Sequence, residues 1–381
     1  MTRLARIGIV LTLLLGAGPA LLAQTPPSDE ILQGPWMSPP GQSASPPPIV
    51  TGIPVTSPEA PSIASPPLSS SAAPALAVPE GLGFPNLLGG ASAVPRASYQ
   101  VRWFPEADVH GQTSSLGWVS QDLRAGTPIW VGDKSVLSVN AGVSSQVFQG
   151  SAVLPLSGTA ISDTLWNVRV GVGYQQTFAN EWTMGLSANL VSASDRPFAS
   201  IDEIKFGVQG MLRIPVYEHD AWILSLTYSP TSQLPFPIPG VAYQWVPSEQ
   251  FQMLIGLPTA ILYRPTEDLS FSLMWLPITN VRARATYRIL PGVRIYLAYE
   301  AANESYYLAD RTDDQDRLSE YDQRVSAGLQ YSPAPCFSAD LFAGYSFDRY
   351  FFMGRNLSDR SDNHFDLSDV PFFGAQVTIR W

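Results

Sequence analysis

Only one cysteine, Cys336, occurs in the 381 residues, so no internal disulfide can form and the fold must hold without a covalent staple. Lysine is nearly missing too, with Lys134 and Lys205 the only two. Against 32 acidic residues the 22 basic ones leave a formal charge of −10, which argues against nucleic acid as a partner. Beyond the leader no run of eighteen apolar residues occurs, which excludes a membrane-spanning helix. The three histidines, His110, His219 and His364, sit in turn-like sequence with no metal-ligand spacing between them. No metal, cofactor or catalytic residue is therefore expected.

What is present begins with an address. Arg3 and Arg6 precede the short apolar run Ile7 to Leu15, and small residues lead to Ala23. This pattern predicts a signal peptide over 1–23, cleaved on export, which leaves a charge of −12 once the two arginines are subtracted from −10. Residues 24–95 hold 17 of the 35 prolines, four acids (Asp29, Glu30, Glu59 and Glu80) and no lysine or arginine. Proline runs such as Pro46-Pro47-Pro48 favour polyproline II and bury too little to offset ordering entropy, so a disordered Pro-rich linker is expected. Its work is that of a spacer, or of a tail that docks on a periplasmic partner.

From Arg96 the pattern turns to period two, the signal of strands. Val168, Val170, Val172 and Tyr174 alternate with Asn167, Arg169, Gly171 and Gly173, and Phe373, Ala375, Val377, Ile379 and Trp381 alternate with polar or small residues. Strands are predicted over 98–104, 116–131, 134–148, 163–178, 182–193, 202–216, 221–229, 240–246, 250–256, 258–264, 268–276, 281–290, 292–300, 319–332, 336–347 and 371–381. That makes about 14 to 16 strands, with Gly256-Leu257-Pro258 read as a tight reversal.

A soluble sandwich would alternate as well. Three features favour an all-β, antiparallel up-and-down transmembrane β-barrel over 96–381. Short turns alternate with longer loops. Nine tryptophans (Trp103, Trp118, Trp130, Trp166, Trp182, Trp222, Trp245, Trp275 and Trp381) lie at or near strand ends, where an aromatic girdle would meet the membrane–water interface. The chain closes on a strand ending in Trp381, as outer-membrane barrels do when the barrel assembly machinery inserts them. The expected location is the cell outer membrane, with outer-membrane lipid as the surrounding partner.

Pro239-Gly240-Val241-Ala242-Tyr243, Gly256-Leu257-Pro258, Tyr263-Arg264-Pro265 and the closing strands resemble an uncharacterised bacterial outer-membrane β-barrel family, a domain of unknown function, over roughly residues 96 to 381. The resemblance implies the barrel fold and assigns no activity and no site residues.

Three groups of residues suggest chemistry. His110 near Ser114 and Ser115 would suit a lipid hydrolase, but no nucleophile motif surrounds them. Asp310, Asp313, Asp314 and Asp316 lack the glycine and the terminal glutamate of a calcium loop, and a solvated loop is the favoured reading. The third group is an arginine ladder. Arg282, Arg284 and Arg288 share one face of their strand, while Arg294 and Glu300 share a face of the next. A charge on the lipid face costs about 2–4 kcal/mol at the midplane, so these side chains are expected in the lumen.

A turn at Leu290-Pro291-Gly292 with Gly292 left-handed would oppose Arg288 to Arg294 and Arg282 to Glu300. Asp322 and Asp340, inward by the same parity, are the expected carboxylate partners. Arg169, Lys205, Arg213, Arg324 and Arg380 also point inward, as does Glu320. The ladder reads either as an ion-pair network filling the lumen or as an anion-favouring constriction. The functional expectation is a passive channel for small polar or anionic solutes. A structural envelope barrel tethered by its Pro-rich arm is the alternative, and a lipid enzyme the third.

Overall fold

A computed structural model describes residues 91–381, except 218, 230, 232, 233, 235, 277–279, 312, 356–358, 361 and 362. The expected leader, 1–23, and residues 24–90 of the expected Pro-rich linker lie outside the described residues.

Seventeen strands form one antiparallel sheet among the described residues. They are β1 (Arg96–Asp108), β2 (Ser115–Gly132), β3 (Ser135–Gly150), β4 (Thr164–Thr177), β5 (Thr183–Ser194), β6 (Ile204–Tyr217), β7 (Asp220–Tyr228), β8 (Ile238–Ser248) and β9 (Phe251–Gly256). Then come β10 (Thr259–Tyr263), β11 (Leu269–Leu276), β12 (Asn280–Leu290), β13 (Val293–Tyr306), β14 (Arg317–Ala334), β15 (Phe337–Gly354), β16 (His364–Leu367) and β17 (Val370–Arg380).

Consecutive strands pair from β1 to β16, β17 pairs with β15, and β1 pairs with β17 from Arg96↔Arg380 to Trp103↔Phe373, so the sheet closes on itself. The last two strands are one broken wall strand. β16 pairs with the far end of β15 through Arg349↔Leu367, and β17 takes the near end through Phe337↔Ile379. The wall therefore has sixteen positions. An even count brings Arg96 and Arg380 to the same rim, the rim of the short turns. Gly256-Leu257-Pro258 is a reversal as expected, because Leu254 faces Ala260 across it.

Alternation decides which face is which. Val170, Val172, Leu190, Phe206, Leu224, Val241, Ile255, Phe271, Leu297, Leu329 and Leu341 are exposed on the outer surface. A continuous belt of this kind needs an apolar surrounding, and closure removes the unpaired edges that hydrocarbon would penalise. This is the outer surface of a membrane-spanning barrel. Of the nine girdle candidates, Trp103, Trp130, Trp166, Trp182, Trp222, Trp245, Trp275 and Trp381 are exposed.

Trp118 corrects that expectation. It is 1 % exposed and faces the lumen, stacked on Phe104 at 4.9 Å and edge-on to Phe351 at 5.8 Å. Its register explains the error: Trp118 pairs with Phe104, one step out of phase with the outward pair Trp103 and Val119.

Several strands run further than the sequence pattern indicated, among them β1, which reaches Asp108, β13, which reaches Tyr306, and β15, which reaches Gly354. In the β13 extension polar residues stand on both faces, as in Asn303, Glu304 and Ser305, so the apolar alternation disappears while the pairing continues.

Candidate functional site: the lumen

Inward-facing residues build the lumen, and the β12–β13 hairpin sets its polar side. Gly292 adopts φ +76° in the turn, and an irregularity between Arg288 and Leu290 takes up the odd residue. The expected register results: Arg282 lies opposite Glu300 and Arg288 opposite Arg294. Glu300 then gathers three guanidinium groups, Arg282 at 2.9 Å, Arg102 of β1 at 3.5 Å and Arg324 of β14 at 4.0 Å. Arg324 also pairs with Asp322 and with Glu320.

A second level lies towards the long-loop rim. Glu304 and Glu320 oppose each other, a like-charge pair that would repel if left alone. Gln146 of β3 reaches across the lumen and donates to Glu320 at 2.6 Å and to Glu304 at 3.4 Å. The Tyr306 hydroxyl donates to Glu304 at 2.6 Å. Towards the short-turn rim, Arg284 lies over the Tyr296 ring at 3.6 Å and 3.7 Å from Asp340, which accepts from the Tyr296 hydroxyl at 2.8 Å. That ring lies flat across Gly328, where a Cβ would come within 2.4 Å of it.

Asp322 and Asp340 thus do neutralise lumen arginines, but not Arg288. Arg288 is held by Asp268 at 2.6 Å and approached by Glu267 at 3.7 Å, both in the turn before β11. The expected sharing of a carboxylate between Arg288 and Arg294 is corrected accordingly. A turn carboxylate next to a strand end looks solvated in sequence, yet its neighbour across the rim is fixed by the pairing of Leu269 with Tyr287.

Arg102 was legible, because it alternates with the outward Tyr99, Val101 and Trp103. Arg349 was not. Asp348 takes a left-handed conformation, φ +50°, at an irregularity in the β14–β15 register, and this returns Arg349 to the inner face. Its guanidinium lies over Trp118 at 4.6 Å and donates to the Ser368 carbonyl at 2.9 Å. Phe104, Trp118, Leu154, Leu165, Phe351 and Phe365 belong to one apolar cluster that closes this side of the lumen near the long-loop rim.

The opposite inner wall differs. Met211, Ile223, Ala242, Leu254 and Ala260, from five successive strands β6 to β10, form a separate buried apolar stripe. Two crossings mark the boundary between the sides. The end of β13 comes against β4 and β5, and the Tyr307 amide donates to the Ala193 carbonyl at 2.8 Å.

No family model and no curated protein matches the chain. Among solved structures, an outer membrane channel from Pseudomonas putida F1 is similar at 10 % identity over 77 % of this chain and 97 % of that one, with a TM-score of 0.35. The Pseudomonas putida toluene transporter TodX aligns at 9 % identity over 78 % and 93 %, TM-score 0.36. The beta domain of the Bordetella autotransporter BrkA aligns at 7 % over 76 % and 99 %, TM-score 0.30. The fold rests on the strand pairings, and these likenesses add no residue role.

The remaining candidates resolve simply. His110 meets the Ser368 hydroxyl at 3.2 Å, while Ser115 donates to Glu106 at 2.6 Å and Ser114 to Gln112, so the imagined serine–histidine pair does not form. The acidic loop is ion-paired: Arg196 takes Asp310, Arg311 takes Asp314, and Arg355 takes Asp313 and Asp316. There the Gln315 amide and then Arg355 hold the Asp313 carboxyl below its ordinary value, while burial and then Asp313 raise that of Asp316. Among the described residues no group of acids, histidines or cysteines is placed to hold a metal.

Proposed function

We propose that the chain is an outer-membrane channel for small polar solutes, exported through its cleaved leader and inserted through β17 by the barrel assembly machinery. The carrying observation is a closed sixteen-position wall, apolar outside, whose inner face bears ion-paired charge rather than a continuous apolar core. The Arg282, Arg284, Arg324, Glu300, Asp322 and Asp340 set is the fixed filling of one side, and solutes pass beside it. At the short-turn mouth Arg213, Arg288 and Arg294 face inward by register, which favours anions there.

The filled side of the lumen also favours a second reading, a structural barrel that conducts little and is tethered to the envelope through its Pro-rich arm. Planar-bilayer recordings of the refolded full chain, and of a chain lacking residues 24–90, separate the two. Discrete conductance steps are expected, with a reversal potential that moves towards cations when Arg288 and Arg294 are both changed to serine. Silence from both chains would sink the channel reading. Conductance without any change in selectivity would limit those two arginines to structure.

A further inference from the structure

The wall from β2 to β6 carries cations that stand outside the Glu300 network. Four register pairs place Arg124 of β2, Gly142 of β3, Arg169 of β4, Val191 of β5 and Lys205 of β6 in one inward row. Arg169 is the central cation. Its stem lies across Gly142, where a Cβ would come within 3.0 Å of the arginine Cγ and 3.2 Å of its Cδ. Arg282 and Arg324 are ion-paired with Glu300. Arg169 has no ion pair among the described residues, and its Nε is buried without a hydrogen-bond partner. Arg124 is paired with Asp122 at 2.7 Å, yet its side chain is 54 % exposed. The Lys205 ammonium lies 4.6 Å from the centre of the Tyr307 ring.

The row beneath, two residues nearer the short-turn rim, consists of Gly126, Asn140, Gly171, Asn189 and Gly207. Its centre requires glycine, because a Cβ on Gly171 would overlap the Asn189 Oδ1 and come within 2.9 Å of the Asn140 Oδ1. Two carboxamides therefore lean together over one glycine, about 6.6 Å along the wall from Arg169. The lumen narrows at this height. The end of β13 comes against β4 and β5, which brings Glu304 and Tyr306 within electrostatic reach of Arg169. Glu304 is itself held by the Tyr306 hydroxyl at 2.6 Å and by Gln146 at 3.4 Å.

We propose that Arg169, flanked by Arg124 and Lys205 and backed by Asn140 and Asn189, forms a binding site for small hydroxy-carboxylates in the lumen. The proposal rests on the channel reading for its consequence, the choice of solute, and not for binding itself. A planar guanidinium without a carboxylate of its own can take a solute carboxylate through two parallel hydrogen bonds. Low-dielectric walls strengthen the pull of that charge on anions. The amides below supply both donors and acceptors, which suits hydroxyls on the carbons that follow the carboxylate. A bare inorganic anion would leave the amide row idle, and a neutral sugar would leave the guanidinium unmatched.

Calorimetric titration of gluconate into the refolded full chain in detergent tests the site without any current. Gluconate should bind, and glucose, which lacks the carboxylate, should bind about tenfold more weakly or worse. Arg169→Gln should weaken gluconate by a similar factor, and Arg169→Lys by less, because the charge stays while the fork is lost. Asn189→Ala should weaken it several-fold. Arg282→Gln removes the same charge from the paired network and should leave the affinity near that of the unaltered chain. Heat-modifiable migration reports that each variant is folded. A folded unaltered chain that takes up no gluconate overturns the proposal, as do equal losses in Arg169→Gln and Arg282→Gln. In planar bilayers gluconate should reduce the chloride current of the unaltered chain and leave that of Arg169→Gln unchanged. Silent bilayers with gluconate binding intact would defeat the channel reading and leave the site standing.

Discussion

The barrel has two unlike sides. On one, β14, β15 and β2 each run eighteen residues; on the other, β9, β10 and β11 run six, five and eight. At about 3.3 Å per residue β15 rises near 60 Å and β10 near 17 Å, against a hydrocarbon core of about 30 Å. Even tilted by about 45° the long strands rise past the hydrocarbon core, and their side of the lumen is filled with charge pairs capped by aromatic rings. The low side steps down at Gly256-Leu257-Pro258, where the Leu257 amide donates back to Val241 at 3.0 Å, and presents an apolar inner wall. Length and filling go together. A strand that projects past the membrane needs cross-lumen ties such as Arg102–Glu300 and Gln146–Glu320 to replace the lateral support of lipid. A strand that stays within the bilayer needs none.

If the sides differ in this way, the largest loss should come from breaking the charge network. The Asp322 side chain is 1 % exposed and accepts from Arg324 and from the Ser346 hydroxyl at 2.8 Å. Asp322→Ala leaves a buried guanidinium short of a partner and should cost about 3–5 kcal/mol in urea unfolding of the refolded barrel. On the low side, Gln244→Ala removes only the bond from Arg213 at 3.1 Å and should cost about 1–2 kcal/mol. Equal costs would erase the distinction.

The aromatic cap gives a sharper version, because it sets an inward tryptophan against an outward one at comparable size. Trp118→Ala opens a cavity among Phe104, Phe148 and Phe351 and should cost about 3–4 kcal/mol. Leu254→Ala on the low side should fall near 2 kcal/mol, the low end for a leucine. It packs with Met211, Ile223, Ala242 and Ala260, and the flexible methionine among them can move to fill the gap.

What the sequence made legible follows from what alternation encodes. Strand existence, the even count, the β12–β13 register and the inward parity of Arg282, Arg284, Arg288, Arg294, Arg324 and Glu300 all depend on local pattern, and all appear in the pairings. Alternation carries no information on which of two faces a single aromatic takes at the end of a strand, so Trp118 was misplaced. It also breaks at any irregular residue, and Asp348 hid Arg349 by shifting the phase. Partners across the lumen, such as Gln146 for Glu320, lie 174 residues apart and depend on barrel closure, which no local window records. The turn carboxylate Asp268 needed only the rim neighbours and could have been found by drawing β11 beside β12.

The smallest stability effect is expected at the other end of the tryptophan comparison. Trp381 is 67 % exposed, and its described backbone bond is the amide to Pro95 at the short-turn rim. An interfacial indole keeps its body apolar and its N–H wet, so truncation loses part of one interface contact and opens no cavity. Trp381→Ala should therefore cost no more than about 1–2 kcal/mol in the refolded barrel, well under Trp118→Ala. Insertion in cells is a different quantity, because β17 closes the wall against both β15 and β1. The yield of folded barrel in outer-membrane fractions should fall several-fold in Trp381→Ala while Trp222→Ala, exposed on the low side, stays near the unaltered chain. Equal yields for the two variants would show that Trp381 is one interfacial ring among several, with no separate part in assembly.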